Sequence, residues 1–116
     1  DMLSQAVYNL IDNAIKFTNP GGYIEFGIAE KDGRVFFSIR NSGTGIPMND
    51  LPHIFERFYK SDKSRSMDRK GTGLGLYIVK TVISMHHGQI VAKSAEGEYT
   101  EFDFWLPEQM DDRAGS

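Results

Sequence analysis

The 116-residue chain contains no cysteine, which excludes disulfides and thiolate metal sites. It also has no apolar run near the roughly 20 residues that a membrane-spanning helix needs, and no signal peptide opens it. The net charge of −3 gives no overall positive potential that would attract nucleic acid or an anionic membrane. The length fits one globular domain with a single core.

Two hydrophobic patterns alternate along the chain. Apolar residues recur at helical spacing over residues 3–17 and 74–87, which predicts two amphipathic helices. Apolar and polar residues alternate in four segments, which predicts β-strands at 23–30, 34–40, 89–94 and 100–106. The first two strands, joined by a Lys-Asp-Gly turn, are expected to pair antiparallel with one buried face. The predicted fold class is α/β, a two-layer sandwich of helices on a mainly antiparallel mixed sheet.

The first predicted helix carries two asparagines on one face. Asn9 and Asn13 are four residues apart and Lys16 lies one turn further, so the three side chains are neighbours. Asparagine is a mediocre helix former because its side chain competes for backbone hydrogen bonds. One interpretation is a row of amide oxygens for a hard cation such as Mg²⁺, with Lys16 as a phosphate partner. On this helix alone, a solvated polar face is the simpler interpretation.

Two glycine-rich segments follow strands or lead into helices. NSGTGIP at 41–47 comes directly after a predicted strand, and KGTGLGL at 70–76 runs into the second helix. Glycine lets a ligand approach the backbone, and N–H groups at a helix start can bind phosphate. Each segment alone fits a tight turn equally well. A Rossmann site is disfavoured because the second segment follows a long polar stretch and lacks the βαβ context.

The order of the segments is more specific than any one of them. Four of them resemble the N, first glycine, F and second glycine boxes of bacterial sensor histidine kinases: NLIDNAIKF at 9–17, NSGTGIP at 41–47, IFERFYK at 54–60 and GTGLGL at 71–76. The resemblance implies that residues 1–107 form the catalytic ATP-binding domain of such a kinase, with the Bergerat fold of the GHKL group and without its first strand. The polar residues 108–116 are expected to be a disordered tail.

The activity implied by the resemblance is phosphotransfer in two-component signalling. Such a domain binds ATP with Mg²⁺ and donates the γ-phosphoryl group to a histidine on a separate dimerisation and phosphoacceptor domain, which then serves a response regulator. That acceptor domain is missing here, and His53, His86 and His87 are predicted to be structural or solvent-exposed. The implied location is a cytoplasmic domain of a membrane-anchored parent, with no nucleic-acid partner and no direct membrane contact.

The resemblance also assigns roles to individual residues. Asn9 and Lys16 would be catalytic, and Asn13 with Asn9 would hold Mg²⁺. The implied nucleotide-binding residues are Asn9, Asn13, Lys16, Phe17, Asn41, Gly43, Gly45, Ile46, Arg57, Phe58, Lys60, Gly71, Thr72, Gly73, Leu74, Gly75 and Leu76. Residues 57–72 would form a lid over the triphosphate, with Arg57 and Lys60 as its best phosphate contacts.

Two positions separate the alternatives. ATPases of the same fold resemble this chain but carry glutamate where Asn9 stands, and an amide cannot take a proton from water. This disfavours a hydrolytic clamp. The kinases usually carry aspartate where Asn41 stands. An amide keeps the hydrogen-bond acceptor and loses the charge, so ATP binding is expected to be weaker by about tenfold. The alternative is a module of the same fold, with weakened nucleotide binding, that acts as a regulatory docking domain.

Overall fold

A computed structural model describes residues 1–57 and 75–108. The elements in chain order are α1 (Met2–Phe17), β1 (Ile24–Lys31), β2 (Arg34–Ser42), a 3₁₀ turn (Leu51–His53), α2 (Gly75–Met85), β3 (Gln89–Ala95) and β4 (Tyr99–Pro107). The strands form one sheet in the order β1-β2-β4-β3, and each of its three pairings is antiparallel. The parallel pairing that a mixed sheet requires is therefore not among the described strands.

The two helices pack on one face of this sheet. The carboxylate of Asp1 caps α1 by accepting a hydrogen bond from the Ser4 N–H at 2.8 Å. Small residues at Ala6 and Ala14 flank Leu10 on the buried side of α1, which lets the helix lie close to β2. Neither helix in the described part of the chain is long and apolar enough to cross a membrane.

The core lies between the helices and the inner face of the sheet, which is the face that the helices cover. Phe37 of β2 and Phe104 of β4 are register partners, and their rings stack with centroids 4.6 Å apart. The fully buried side chains of α2 pack against this layer. The buried hydrophobic residues are Ala6, Leu10, Ala14, Ile39, Ile54, Val79, Val82, Ile83, Ile90, Phe102, Phe104 and Leu106.

The expected burial of β1 is wrong. Ile24, Phe26 and Ile28 pair with Asn41, Ile39 and Phe37, which places them on the inner face of the sheet. They are nevertheless 42%, 52% and 62% exposed. Since α1 packs over β2 and α2 over β3, this edge strand lies outside the area that the helices of the described residues cover.

The described fold extends one residue into the predicted tail. The Glu108 N–H donates to the Gly33 carbonyl oxygen at 2.8 Å, which fastens the end of β4 to the β1–β2 turn. Residues 109–116, for which disorder was predicted, lie outside the described residues.

Candidate functional site

The end of β2 carries the most buried polar side chain of the predicted site. Asn41 is only 3% exposed, and its Nδ2 donates to the Ser42 carbonyl oxygen at 2.9 Å. Thr100, 7% exposed, lies directly opposite Asn41 in the β2–β4 register. The sequence motifs did not single out Thr100. The available signal was a threonine at an inward position of a strand whose other inward residues are Phe102, Phe104 and Leu106.

Three hydrogen bonds hold Ser42, the residue after Asn41, in place. The Ser42 hydroxyl donates to Asn19 Oδ1 at 2.7 Å and accepts from the Tyr23 N–H at 2.8 Å. The Ser42 N–H donates to the Tyr23 carbonyl oxygen at 3.0 Å. A Cβ at Gly22 would collide with the Ser42 hydroxyl, so this position accepts only glycine without rearrangement. The α1–β1 connection and the end of β2 are therefore fixed to each other.

Gly43 and Gly45 take backbone conformations that favour glycine, with φ of 152° and 75°. A Cβ at Gly43 would collide with the Phe17 carbonyl oxygen, and one at Gly45 would lie 2.7 Å from the Ala95 carbonyl oxygen. The Ile46 N–H donates to the Ser94 hydroxyl at 2.7 Å. The glycine turn is thus held between the end of α1 and the β3–β4 hairpin.

The polar row of α1 leads toward this turn. Asn9 and Asn13 are half-buried and Lys16 is exposed. The last residues of α1 reach the turn directly, because Thr18 forms a β-bridge with Gly43. The structure therefore brings the C-terminal end of the predicted metal and phosphate row next to Asn41.

The contacts within this row are long. Gln5 Nε2 lies 3.4 Å from Asn9 Oδ1, and Lys16 Nζ lies 3.6 Å from Asp12 Oδ2 with both side chains about half exposed. Exposed pairs of this kind contribute little and exchange readily. Residues 1–57 and 75–108 contain no group of three His, Asp or Glu that could hold a metal ion. A cation at α1 would therefore depend on amide oxygens, water and phosphate, a ligand set that suits Mg²⁺.

The predicted lid is only partly described. Arg57 lies 5.8 Å from the Tyr77 ring centroid, Gly75 begins α2, and the half-buried Leu76 packs against the core. A groove of about 570 Å³ runs between the end of the 3₁₀ turn and α2, and among the described residues that line it Arg57 is a predicted site residue. The predicted residues that lie outside the described chain are Phe58, Lys60, Gly71, Thr72, Gly73 and Leu74.

The three histidines take the structural or exposed positions that the sequence predicts. His86 Nδ1 lies 2.9 Å from the Val82 carbonyl oxygen at the end of α2. His87 follows in the left-handed region with φ of 67°. His53 lies on the 3₁₀ turn, with its Nδ1 2.9 Å from Glu56 Oε2.

Comparison with known proteins decides the family. The family described as histidine kinase-, DNA gyrase B-, and HSP90-like ATPase matches residues 1–110. The chain belongs to this family. Among relatives of this ATPase-family chain, the sensor histidine kinase WalK of Bacillus subtilis is 41% identical over 117 residues, covering 97% of this chain and 19% of WalK. The sensor protein SrrB of Staphylococcus aureus is 42% identical over 107 residues, covering 92% of this chain and 18% of SrrB. The chain thus spans about a fifth of these relatives.

Solved structures of histidine kinases share the fold of this ATPase-family domain. The mycobacterial sensor histidine kinase MprB superposes with a TM-score of 0.81 at 36% identity, covering 91% of this chain and 72% of that one. Full-length ShkA in complex with AMPPNP gives a TM-score of 0.76 at 32% identity, covering 91% of this chain and 21% of that one. The catalytic domain of ThkA gives a TM-score of 0.76 at 31% identity, and the match covers 92% of this chain and 66% of that one. The predicted family and GHKL fold are confirmed.

Proposed function

We propose that this chain is the ATP-binding catalytic domain of a sensor histidine kinase. It binds ATP with Mg²⁺ and donates the γ-phosphoryl group to a histidine on the dimerisation and phosphoacceptor domain of its parent protein, from which a response regulator is phosphorylated. The observation that carries the proposal is the junction at Gly43, which joins the end of the Asn-Lys row of α1 to the buried acceptor Asn41. Bound AMPPNP in the related ShkA structure supports the same assignment.

The arrangement separates base recognition from phosphate binding. Asn41 and the backbone of Gly43 would receive the base, with the half-buried Phe17 beside it. Asn13 and Asn9 would hold Mg²⁺, and Lys16 would exchange its weak contact with Asp12 for a phosphate oxygen. The metal supplies charge neutralisation of the triphosphate when it is bound.

The helix offers no carboxylate at the position of Asn9. Since an amide cannot act as a general base, it does not activate water for hydrolysis. This favours transfer of the phosphoryl group to a protein acceptor over hydrolysis. The chain's three histidines lie on the 3₁₀ turn and at the end of α2, and we place the acceptor histidine on another domain of the parent. We further propose that the parent is membrane-anchored and that this domain acts on its cytoplasmic side, without nucleic-acid or membrane contact.

Calorimetric titration of ATP with and without Mg²⁺ tests the binding step. Asn13→Ala is expected to weaken Mg²⁺-dependent ATP binding by about tenfold or more, because a direct metal ligand is lost. Asn49→Ala is the matched control, since this exposed asparagine lies outside α1. Equal affinities for the two variants would contradict the proposed metal site.

Phosphotransfer separates the kinase from the docking-module alternative. The isolated phosphoacceptor domain of the parent is mixed with this chain and γ-labelled ATP, and label is expected first on that domain and then on its response regulator. An acceptor domain that binds this chain but never takes up label would favour the docking module.

A further inference from the structure

The β3–β4 hairpin contacts the glycine turn through three hydrogen bonds. In one of them a side chain takes part, because the Ser94 hydroxyl accepts from the Ile46 N–H at 2.7 Å. A substitution at Ser94 can therefore break this bond and leave the main-chain bonds of the hairpin in place. The other two join main-chain groups only, at 3.1 Å and 2.6 Å: the Gly43 N–H to the Glu98 carbonyl oxygen, and the Gly97 N–H to the Thr44 carbonyl oxygen.

The Ser94 hydroxyl is used both as a donor and as an acceptor. It donates to the Tyr99 carbonyl oxygen at 2.8 Å, and its lone pair accepts from the Ile46 N–H. A carbonyl can only accept and a main-chain N–H can only donate, so a hydroxyl satisfies both partners and a methyl group satisfies neither. All three residues are half-buried. Removal of the hydroxyl would thus leave a donor and an acceptor unpaired, which costs more than the loss of a bond between exposed groups.

Ser94 lies on the same face of the sheet as Asn41. Ser94 pairs with Thr100 and Thr100 pairs with Asn41, so these three uncharged polar residues form one row across the inner face. The glycine turn comes close to this row, since a Cβ at Gly45 would lie 2.9 Å from the Ser94 hydroxyl. The sequence motifs did not single out Ser94, although Ile46, which donates to it, is among the predicted nucleotide-binding residues.

We propose that Ser94 is a positioning residue for nucleotide binding, which fixes the main chain at Ile46 and thereby holds the glycine turn against Asn41. The inference rests on the proposed function of nucleotide binding. Ser94 acts without touching the nucleotide, because its hydroxyl is already bonded to Tyr99 and Ile46. Without this hydroxyl the two main-chain bonds still join the turn to the hairpin, but the turn is held less closely. The nucleotide then has to order the turn as it binds, and its affinity falls.

Calorimetric titration with ATP and Mg²⁺ tests the inference. Ser94→Ala is expected to bind about tenfold more weakly than the parent chain, and Ser94→Thr, which keeps a hydroxyl, within about twofold of it. Two controls are expected to keep the parent affinity. Ser38→Ala removes a serine hydroxyl from the outer face of the sheet. Ile90→Val removes a buried methylene group from β3 and destabilises the fold away from the turn.

The outcomes of this titration separate the inference from the proposed function. If the parent chain binds ATP and Ser94→Ala binds it equally well, the positioning role is wrong and nucleotide binding stands. A threonine variant as weak as the alanine variant would also refute the role of the hydroxyl. If the parent chain does not bind ATP, the proposed function and the inference fail together.

Amide hydrogen exchange of the ligand-free chain distinguishes a local effect from a loss of overall stability. In Ser94→Ala the Ile46 amide is expected to exchange about tenfold faster relative to the Phe104 amide, which lies on a strand paired on both sides. Acceleration of both amides by the same factor would mean that Ser94 contributes only to stability, and would overturn the inference.

Ser94→Cys provides a second variant if Ser94→Ala does not fold. A thiol is a weaker donor and acceptor than a hydroxyl, so the affinity of this variant for ATP is expected to lie between those of the threonine variant and an unbonded turn, about threefold to tenfold below the parent chain. Parent-like affinity in Ser94→Cys would contradict the positioning role.

Discussion

The two faces of the sheet handle polar groups in opposite ways. The inner face buries uncharged ones: Asn41 and Thr100 lie opposite each other near the end of α1. The outer face carries ionisable ones, two pairs of which lie beside an opposite charge. Arg40 Nε is 2.8 Å from Glu101 Oε1, and Lys93 Nζ is 3.1 Å from Asp103 Oδ2. Ionised groups remain where water or a partner is close, whereas the candidate site depends on neutral groups in an enclosed position.

The pKa values of two carboxyl groups on the outer face, Asp103 and Glu101, are shifted in opposite directions. Burial raises the pKa of Asp103, and the neighbouring Glu101 raises it further. Burial would also raise the pKa of Glu101, but hydrogen bonds from Asp103 and Arg40 hold it below its ordinary value. Hydrogen bonds to Glu101 and Tyr23 raise the pKa of the Arg40 guanidinium, and one to Asp103 raises that of Lys93. The two carboxylates therefore oppose each other in the dependence of stability on pH.

Cations also cover aromatic rings on the outer face. The Arg34 guanidinium lies 4.1 Å from the Trp105 ring centroid, and that of Arg40 lies 3.9 Å from the Tyr99 ring centroid. Such stacking places the apolar part of the arginine side chain over the ring and keeps the charge near water. The arginine side chains thus shield part of the aromatic surface of the outer face.

The largest expected difference between the faces is in packing. Phe104→Ala removes a ring that is 4% exposed and stacked on Phe37, so the free energy of unfolding is expected to fall by about 3–5 kcal/mol. Phe36→Ala on the outer face is the matched control and is expected to cost clearly less, because its ring is only half-buried. Urea denaturation measures both. Equal losses would contradict the assignment of the core to the inner face.

A smaller effect is expected where the inner face meets the glycine turn. Gly43→Ala adds a Cβ against the Phe17 carbonyl oxygen at a φ of 152°, which is expected to cost about 1–3 kcal/mol and to weaken ATP binding. Gly21→Ala separates strain from collision, because Gly21 also has positive φ, 74°, but has open space around its Cβ. The control is expected to lose less stability and no nucleotide affinity. If both variants bind ATP equally well, the close approach at Gly43 is not part of the site.

The smallest expected effect is the pH dependence of the outer face. In the native state the pKa of Asp103 is raised above its ordinary value of 3.8. Ionisation of Asp103 therefore destabilises the fold as the pH rises from 3.8 through the native pKa of this carboxyl group. Asp103→Asn removes that loss, and the stability of the variant relative to the parent chain is expected to increase over this interval. Urea denaturation at a series of pH values measures the difference.

Glu101 provides the opposite sign within the same experiment. Its lowered pKa means that its carboxylate contributes stability above its ordinary value of 4.5, and that this contribution is lost as pH falls. Glu101→Gln is therefore expected to lose stability relative to the parent chain as pH rises. If the stability relative to the parent chain changes with pH in the same direction for both variants, the surroundings of the two carboxylates do not shift their pKa values in opposite directions.

Periodicity predicted the strands well but not their coverage. β4 buries Thr100, Phe102, Phe104 and Leu106 in strict alternation, as its sequence indicates. β1 has an equally clear alternation, yet its apolar residues remain exposed. A period of two specifies which residues share a face of a sheet. It does not specify whether a helix reaches that face, because coverage depends on where the helices pack.

The sequence by itself predicted the helices and strands, the family and a set of candidate site residues that did not include Thr100, because periodicity and short motifs are local properties of the chain. Only the tertiary structure decided how those residues meet. The bridge between Thr18 and Gly43 joins α1 to the glycine turn, and the register of β2 with β4 places Thr100 opposite Asn41. The α1–β1 connection holds the hydroxyl and N–H of Ser42, whose carbonyl oxygen accepts a hydrogen bond from Asn41 Nδ2. Hydrogen-bond direction arises from neighbours in space, and the identity of the residue alone does not determine it.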